Sequence, residues 1–539
     1  MQGTMMDYPL TLVPILERAG RLFGKVEIVS RLPDKSLHRY TYKDFYRRAR
    51  ALAEALQKAG LRRGDRVGTL MWNHYAHLEA YFGIPLAGGV LHTLNLRLHP
   101  RDIAYIANHA QDRFLIVDDV LLPLYEQFKD QVNAERVIVV PLTGKPVPEG
   151  YLDYEAFLNT ATGDFTYPEL DENEALGMCY TSGTTGQPKG VVYSHRAVVL
   201  HSLASGLSGT LGITQRDVVL PVVPMFHVNA WGLPFTAVMV GAKQVFPGPY
   251  LDPESLLELF EREQVTFTAG VPTIWLGILQ ALEKAPDRWK LVPRMRMGVG
   301  GSAAPEGLIR AFDRFGLQVV HAWGMTETTP LGTVSLLKSY MEDLSEEEKY
   351  AYRAKQGLPV PFVEVRVVNE EGEAPWDGKT MGELQVRGPW VAASYYNLPE
   401  AQDRWTEDGW FRTGDVATID PEGYVKITDR TKDLIKSGGE WISSVDLENA
   451  LMGHPKVAEA AVIAVPHPRW QERPLAVVVL KEAYKGKVTP EELREFLAPK
   501  FAKWWLPDAF VFVDEIPRTS AGKFLKAKLR EQFRDWKWD

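Results

Sequence analysis

Apolar and polar positions along the chain follow two spacings, one typical of strands and one typical of helices. Short β-branched runs predict buried strands at residues 136–142, 218–223 and 318–322. The last of these runs is preceded by a predicted strand (MRMGVG), a turn (GSAAPEG) and a segment with Leu308, Ile309 and Phe312 at helical spacing. Strand–helix–strand repetition of this kind predicts an α/β fold with parallel sheets and helices on their faces.

The pattern changes near Asp429. Residues 362–428 read as short strands separated by turns, which predicts a small β-barrel or sandwich. The polar, glycine-containing segment DRTKDLIKSGGEWISS follows, and then a helix, two strands and a second helix. A polar hinge between two apolar cores indicates a domain boundary. We therefore predict a large N-terminal domain over residues 1–430 and a small, mobile α+β domain over residues 431–539.

Composition is that of a globular enzyme. A chain of 539 residues is too long for one core, and its 45% hydrophobic content is enough to bury two. The net charge of −8 argues against a nucleic-acid binder. Cys179 is the single cysteine and lies in the apolar run ALGMCY, which predicts a buried side chain rather than a nucleophile. The first ten residues do not resemble a signal peptide, and residues 265–282 are interrupted by glycine and proline, so we expect no transmembrane segment and a cytoplasmic location.

Residues 180–190 read YTSGTTGQPKG, which combines three glycines, four aliphatic hydroxyls and a lysine. Glycines let backbone N–H groups converge on an anion, and the hydroxyls and the ammonium add further donors. The segment is not the NTPase P-loop, in which lysine follows glycine directly. A flexible surface loop is the alternative. The predicted phosphate-binding residues are Thr181, Ser182, Gly183, Thr184, Thr185, Gly186 and Lys189.

Further motifs follow in a fixed order along nearly the whole chain. They are HAWGMTETT at 321–329, WFRTGD at 410–415, DR at 429–430, IKSGGEWIS at 435–443 and PRTSAGKFLK at 517–526. With the phosphate loop, these motifs resemble the adenylate-forming superfamily of acyl-CoA synthetases, peptide-synthetase adenylation domains and firefly luciferase. The resemblance implies an ATP-dependent enzyme with a large domain of αβαβα type plus a β-barrel, and a small rotating C-terminal domain.

The same resemblance assigns the nucleotide site. Asp415 and Arg430 would bind the ribose, and Glu327, with Thr184, would ligate Mg²⁺, a hard cation that prefers carboxylate oxygens and phosphates. Trp323 offers a flat face for adenine. The remaining residues assigned to ATP or AMP are Gly301, Ser302, Ala303, His321, Ala322, Gly324, Met325 and Thr326.

The resemblance implies two successive reactions and assigns one lysine to each. Lys523 would bridge the substrate carboxylate and the α-phosphate during adenylation. Lys436 would enter the site after the small domain rotates about Lys432, and a coenzyme A thiol would then displace AMP. Gly438, Gly439 and Glu472 would contact coenzyme A or organise that second state. The nearby basic residues Lys526, Lys528 and Arg530 are interpreted as a solvated helix face.

The class of carboxylic acid substrate is indicated by residues 222–235, VVPMFHVNAWGLPF. His227 and Trp231 are four residues apart, which on a helix would place both on one wall of a pocket. The segment resembles the fatty-acid-binding stretch of bacterial medium- and long-chain fatty acyl-CoA synthetases, with His227 beside the carboxylate and Trp231 at an acyl tunnel.

We therefore predict an AMP-forming acid:CoA ligase for medium- to long-chain fatty acids, with ATP, Mg²⁺, coenzyme A and a carboxylic acid as its small-molecule partners. The KWWLPD stretch at 503–508 keeps open a ligase for methylmercaptopropionate, a short thioether acid. A monooxygenase, an adenylating carrier module and a nucleotide-binding protein without activity are further alternatives, and a homodimer is expected by analogy alone.

Overall fold

The computed structural model describes residues 1–181, 187–438, 440–520 and 522–539. Helices alternate with strands over most of the first 330 residues, as the hydrophobic pattern predicts. Within the described ranges the helices are α1 (Val13–Leu22), α2 (Tyr42–Lys58), α3 (Tyr75–Leu86), α4 (Pro100–Ala110), α5 (Leu122–Glu126), α6 (Tyr154–Leu158), α7 (His195–Ser205), α8 (Val228–Trp231), α9 (Leu233–Val240), α10 (Pro253–Arg262), α11 (Pro272–Lys284), α12 (Glu306–Arg314), α13 (Glu346–Arg353), α14 (Ser444–Met452), α15 (Pro490–Leu497) and α16 (Lys526–Gln532).

The strands fall into four sheets. In chain order they are β1 (Glu27–Arg31), β2 (Leu37–Thr41), β3 (Arg66–Leu70), β4 (Val90–Thr93), β5 (Asp112–Asp118), β6 (Arg136–Val140), β7 (Leu152–Asp153), β8 (Ala175–Tyr180), β9 (Gly190–Ser194), β10 (Val218–Pro221), β11 (Lys243–Phe246), β12 (Phe267–Gly270), β13 (Arg296–Val299), β14 (Gln318–Gly324), β15 (Leu331–Val334), β16 (Leu358–Pro359), β17 (Glu364–Asn369), β18 (Gly372–Glu373), β19 (Gly382–Arg387), β20 (Phe411–Ile419), β21 (Val425–Arg430), β22 (Ile435–Ser437), β23 (Glu440–Ile442), β24 (Val457–His467), β25 (Gln471–Leu480) and β26 (Ala509–Phe512).

Two of the sheets are mainly parallel, as predicted. One has the order β16-β15-β14-β13-β12-β10-β11-β1-β2, and its six strands from β14 to β1 are parallel. The other has the order β7-β6-β5-β3-β4-β8-β9 and is parallel up to β8. Both carry antiparallel strands at an edge, where short connections suffice.

Helix α3 lies between these two sheets. All its residues are buried, and it contacts β1 of one sheet and β3, β4 and β8 of the other. Apolar residues occur on all sides of the helix, and its one carboxylate, Glu79, pairs with Arg48 at 2.7 Å, as a helix inside a core requires. Its position produces alternating layers of helices and sheets, with the largest core cluster on both sides of it. In the described ranges every helix is too short or too polar to span a bilayer.

The β-rich segment forms an antiparallel sheet with the order β18-β17-β19-β20-β21. The pairings among its described strands form an open sheet. The sequence pattern predicted a small barrel or sandwich instead. Register ties Asp415 on β20 to Arg430 on β21, so two residues predicted to bind the ribose are cross-strand neighbours.

The C-terminal segment is the predicted α+β module. Helix α14 starts at the side chain of Ser443, whose Oγ accepts from Asp446 N at 3.1 Å. Its apolar face, together with α15, covers the long hairpin of β24 and β25. Strand β26 adds to β25 in parallel, a pairing that the sequence pattern did not predict because the two are separated by α15.

Candidate active site

A cavity of about 380 Å³ lies at the carboxyl ends of β12, β13 and β14 and reaches β20, β21 and the C-terminal segment. Ligands bind at this end of parallel sheets because the strands there end in loops that can carry functional groups. The predicted site residues that line it are Thr181, Lys189, His227, Trp231, Gly301, Ser302, Ala303, His321, Ala322, Trp323, Gly324, Met325, Thr326, Glu327, Asp415, Arg430, Lys432 and Lys523.

The two ends of the predicted phosphate loop are joined to each other. Thr181 N donates to Lys189 O at 2.9 Å, and Lys189 N donates to Thr181 Oγ1 at 3.0 Å. These bonds bring the start and the end of the loop together at the rim of the cavity. The other predicted loop residues, Ser182, Gly183, Thr184, Thr185 and Gly186, lie outside the described residues.

Asp415 is a buried carboxylate with two described partners. Trp323 Nε1 donates to its Oδ2 at 3.1 Å, and Arg430 Nε lies 3.3 Å from its Oδ1. The charge of Asp415 raises the pKa of Arg430, so the guanidinium stays charged. Because the indole and the guanidinium hold the carboxylate in place, its orientation is set before any ligand binds.

Glu327 follows β14 on a short 3₁₀ turn and is also buried. Its Oε2 accepts from Tyr395 OH at 2.7 Å. Lys189 Nζ lies 5.8 Å from the centre of the Tyr395 ring, so the tyrosine is near both the carboxylate and the loop lysine. The turn itself is held by Tyr193 OH, which donates to Thr326 O at 2.7 Å.

His321 has both ring nitrogens engaged by the backbone. Its Nε2 accepts from Ala304 N at 3.2 Å, and its Nδ1 lies 3.1 Å from Ala354 O. Burial lowers the pKa of His321 to about 4, so the ring is neutral. Its contact with the main chain supports the loop at Gly301–Ala303 next to the cavity.

Lys523 reaches the cavity from the C-terminal module. Thr519 N donates to Lys523 O at 2.7 Å, and this tight turn is docked on the first domain by Asn95 Nδ2, which donates to Ser520 Oγ at 3.1 Å. Burial and the nearby charge of Arg430 lower the pKa of Lys523 to about 8. The charges of Asp415 and Glu327 act on the pKa of Lys523 in the opposite direction and raise it, so the ammonium lies near the residues predicted to bind the nucleotide.

Lys436 lies elsewhere. It is exposed on β22, and its backbone N donates to Glu472 Oε2 at 2.9 Å. Gly438 follows with φ +59°, a backbone conformation that favours glycine. Gly439 lies outside the described residues. Lys436, Gly438 and Glu472 are absent from the cavity lining within the described ranges, so one of the two predicted catalytic lysines is inside the site and the other is outside it.

The structure corrects the helical interpretation of His227 and Trp231. Both residues line the cavity, but Val228, Asn229, Ala230 and Trp231 all have positive φ, from 37° to 58°, and form a left-handed turn rather than a right-handed helix. Left-handed backbone costs about 1–2 kcal/mol per residue that is not glycine. Burial, with the charge of Lys523, lowers the pKa of His227 to about 4.

Comparison with known proteins identifies the family. A model described as AMP-binding enzyme matches residues 16–396, and one described as AMP-binding enzyme C-terminal domain matches residues 446–523. The chain belongs to the AMP-binding enzyme family. The predicted membership of the adenylate-forming superfamily is thereby confirmed.

Relatives of this AMP-binding enzyme match over nearly its full length. It is 57% identical over 537 residues to the long-chain-fatty-acid–CoA ligase of Thermus thermophilus, covering 99% of this chain and 97% of that one. It is 47% identical over 542 residues to the 3-methylmercaptopropionyl-CoA ligase of Ruegeria lacuscaerulensis, covering 99% of each.

A solved structure agrees with this family assignment. The crystal structure of an anthranilate CoA ligase in complex with anthranoyl-AMP is 26% identical and covers 99% of each chain, with a TM-score of 0.86. This match confirms the predicted fold. Because the relatives are named as CoA ligases, the prediction of an AMP-forming acid–thiol ligase is confirmed at the level of the family.

The prediction of a solvated face at the start of α16 was wrong for Lys526. In this AMP-binding enzyme Lys528 is exposed and Arg530 pairs with Asp433, but Lys526 is only 9% exposed and lies 2.8 Å from Glu448 Oε2. Lys526 precedes the buried Leu529 by three residues and shares its helix face, so helical periodicity could have identified it.

Lys526 belongs to a buried polar cluster that crosses the predicted hinge. Its Nζ donates to Ser444 Oγ at 2.7 Å, and Ser444 N and Oγ donate to Asp429 Oδ2 at 2.9 and 2.8 Å. Burial raises the pKa of Asp429 to about 6 and that of Glu448 to about 7. Lys432, the predicted hinge residue, is three positions after Asp429 and lines the cavity. Neither Ser444 nor Tyr395 was predicted, because nothing in their local sequence indicates which carboxylate they contact.

Proposed function

We propose that this AMP-binding enzyme is an ATP-dependent acid:CoA ligase that activates a medium- to long-chain fatty acid as acyl-AMP and transfers it to coenzyme A, releasing AMP and pyrophosphate. The observation that carries the proposal is the composition of the cavity. One end holds Lys523, Asp415 and Arg430, and the other is apolar, with Leu211, Leu233 and further apolar side chains. An acid bound across the junction has charged groups at its carboxylate and apolar surface along its tail.

The first step needs positioning and charge neutralisation more than covalent chemistry. A carboxylate oxygen attacks the α-phosphorus of ATP, a bond to pyrophosphate breaks, and acyl-AMP forms. We assign Lys523 to the carboxylate and the α-phosphate, and Lys189 to the phosphates, because ammonium groups stabilise the charge that develops there. Asp415 accepts from the ribose hydroxyls, which holds the nucleotide in line for attack.

The residues at Glu327 fit a Mg²⁺ ion bound together with ATP. Its carboxylate is buried, lines the cavity and has Oε2 oriented by Tyr395. In the described ranges no group of three or more His, Cys, Asp or Glu side chains could hold a metal by itself, which suits an ion that takes one carboxylate, phosphates and water. We propose Glu327 and Thr184 as its protein ligands. When bound, Mg²⁺ neutralises phosphate charge.

The second step requires a different lysine in the site. We propose that residues 431–539 rotate about Lys432 against residues 1–430, which removes Lys523 and brings in Lys436, Gly438, Gly439 and Glu472. The exposure of Lys436 on β22 supports this, because the residue is free of the core that would otherwise hold it. A thiolate of coenzyme A then attacks the acyl carbon and AMP leaves. A homodimer and a cytoplasmic location remain predictions.

A short thioether acid is the second candidate substrate. It is supported by the relative named 3-methylmercaptopropionyl-CoA ligase, which matches 99% of the chain. For such an acid, Trp231 would act as a pocket wall rather than at the entrance of a tunnel.

Substrate preference is tested with a panel of acids from methylmercaptopropionate and butyrate through octanoate and decanoate to palmitate. Pyrophosphate release and acyl-CoA are measured with ATP and Mg²⁺, with and without coenzyme A. We expect kcat/KM to rise to a maximum at octanoate or longer, with acyl-CoA as product. Activity confined to methylmercaptopropionate and butyrate would favour the second candidate. Pyrophosphate release with no acyl-CoA formed would refute the ligase.

A further inference from the structure

The apolar end of the cavity lies along one face of β12, β13 and β14. Side chains alternate between the two faces of a strand, so residues two apart share a face. On the face that carries Phe267 and Arg296, the positions toward the carboxyl ends of the strands are small. Those positions are Ala269 on β12, Gly298 and Gly300 along β13, and Ala322 and Gly324 along β14, and all five line the cavity. Small residues at successive positions on adjacent strands leave a groove along the sheet.

The groove has little spare width. A Cβ atom on Gly298 would lie 3.3 Å from the Cβ of Ala269 and 3.6 Å from Cζ of Phe267, and one on Gly300 would lie 3.2 Å from Cη2 of Trp231. A single methyl group at either position would therefore narrow the groove.

The groove ends at the next pair of positions on the same face. These are Phe267 and Arg296, which are register partners on β12 and β13. The Phe267 ring lines the cavity, and Arg296 Cζ lies 5.0 Å from the centre of that ring. Arg296 donates to Leu211 O and lies 3.1 Å from Asp217 Oδ1, so its guanidinium is held across the ring. At this wall, Phe267 is 1% exposed and the Arg296 side chain is 26% exposed, so Arg296 is the member of the pair that reaches solvent.

We infer that Phe267, held by Arg296, limits the length of the acyl chain and makes this enzyme selective for acids of medium length. The inference rests on the proposed function and specifies its substrate. Gly300 and Arg296 are four residues apart along one extended segment, a distance of about 13 Å. An extended chain advances about 1.2 Å per bond, since three backbone bonds span about 3.6 Å, so the groove accommodates a tail of about ten carbons.

The test compares three substitutions in the purified full-length protein. Phe267→Ala removes the wall, Arg296→Met removes the group that holds it, and Gly298→Ala narrows the groove ahead of it. Phe315→Ala is the matched control, because it deletes an equal ring at the end of α12, outside the lining of the cavity. For each protein we measure kcat/KM for butyrate, octanoate, decanoate, tetradecanoate and palmitate, and compare ratios within that protein.

In the unaltered protein we expect kcat/KM to rise about fourfold per added carbon up to decanoate and then to fall. Phe267→Ala should raise the ratio of tetradecanoate to decanoate about tenfold or more, because further methylenes become buried. Arg296→Met should shift the ratio in the same direction, and Gly298→Ala should lower the ratio of decanoate to butyrate. The Phe315→Ala ratios should match those of the unaltered protein.

The outcomes separate this inference from the proposed function. If the unaltered protein uses fatty acids but palmitate is its best substrate, or if the ratios are unchanged in Phe267→Ala and Arg296→Met, the wall does not set the length. If one of these two variants fails to fold, the other decides the question. If no fatty acid supports pyrophosphate release in the unaltered protein, the proposed function itself is wrong.

Discussion

The depressed pKa of Lys523 makes adenylation sensitive to pH in a range where an ordinary lysine would not respond. Burial and the charge of Arg430 lower this pKa to about 8, so the protonated form is lost as the pH rises through 8. The proposed role of Lys523 requires the ammonium. Formation of acyl-AMP should therefore decrease above pH 8, whereas a lysine with an ordinary pKa would lose its proton only above pH 10.

The size of the effect follows from the fraction of free enzyme that is protonated. With a pKa of about 8, about nine-tenths of Lys523 is charged at pH 7 and about one-tenth at pH 9. The value of kcat/KM for ATP should thus fall about tenfold between these pH values, since this constant reports the free enzyme. His227 does not contribute to this limb, because its pKa of about 4 keeps it neutral throughout.

The assay is pyrophosphate release with saturating acid and no coenzyme A, which removes titration of the thiol from the profile. Lys523→Arg should have lower activity but no decrease between pH 7 and pH 9, because guanidinium stays charged. Lys436→Arg is the matched control and should keep the decrease, since Lys436 lies outside the cavity lining. A flat profile in the unaltered protein, or the same decrease in Lys523→Arg, would refute the reasoning.

Other substitutions test the remaining assignments. Lys523→Ala should slow acyl-AMP formation about a hundredfold or more, while supplied acyl-AMP is still converted to acyl-CoA. Lys436→Ala should slow the conversion of acyl-AMP to acyl-CoA and leave acyl-AMP formation intact. Equal losses of both reactions in both variants would contradict the rotating domain. Glu327→Gln should raise the Mg²⁺ concentration needed for half-maximal adenylation, and an unchanged Mg²⁺ dependence with normal activity would exclude it as a ligand. Lys526→Met should lower the free energy of unfolding of the C-terminal module by about 3 kcal/mol, because it leaves Glu448 buried without its cation. The pKa of Glu448 is already raised to about 7 and should rise further in this variant, so the loss of unfolding free energy should be greater at pH 8 than at pH 6. Urea titrations at both pH values measure this loss, and adding Glu448→Gln to the variant should compensate for it.

Short-range patterns in the sequence determined most of the element types and the family. The apolar runs before and after the turn GSAAPEG correspond to β13 and β14, with α12 between them. The phosphate-loop motif and the GMTE segment each identified residues, Thr181, Lys189 and Glu327, that line the cavity. These features are local, because periodicity and turn residues act over a few positions of the chain.

Only the tertiary structure decided which polar groups meet. Tyr395 contacts Glu327 from 68 residues away, and Lys526 pairs with Glu448 from a neighbouring helix. Each contact depends on how whole elements pack, and a single sequence carries no signal for a partner at that separation. The pairing of Lys526 shows this most directly, because periodicity indicates the buried face of α16 but not the carboxylate of Glu448 that Lys526 meets there.

At residues 228–231 the local sequence pattern predicted the wrong backbone conformation. The four-residue spacing of His227 and Trp231 indicated one helix face, but the backbone there is left-handed. A conformation that costs free energy at each of four residues without glycine is not favoured by the local sequence and persists only where the surrounding structure compensates for it. The sequence motif therefore identified these two residues as part of the pocket, whereas packing of the complete fold determined the backbone that presents them.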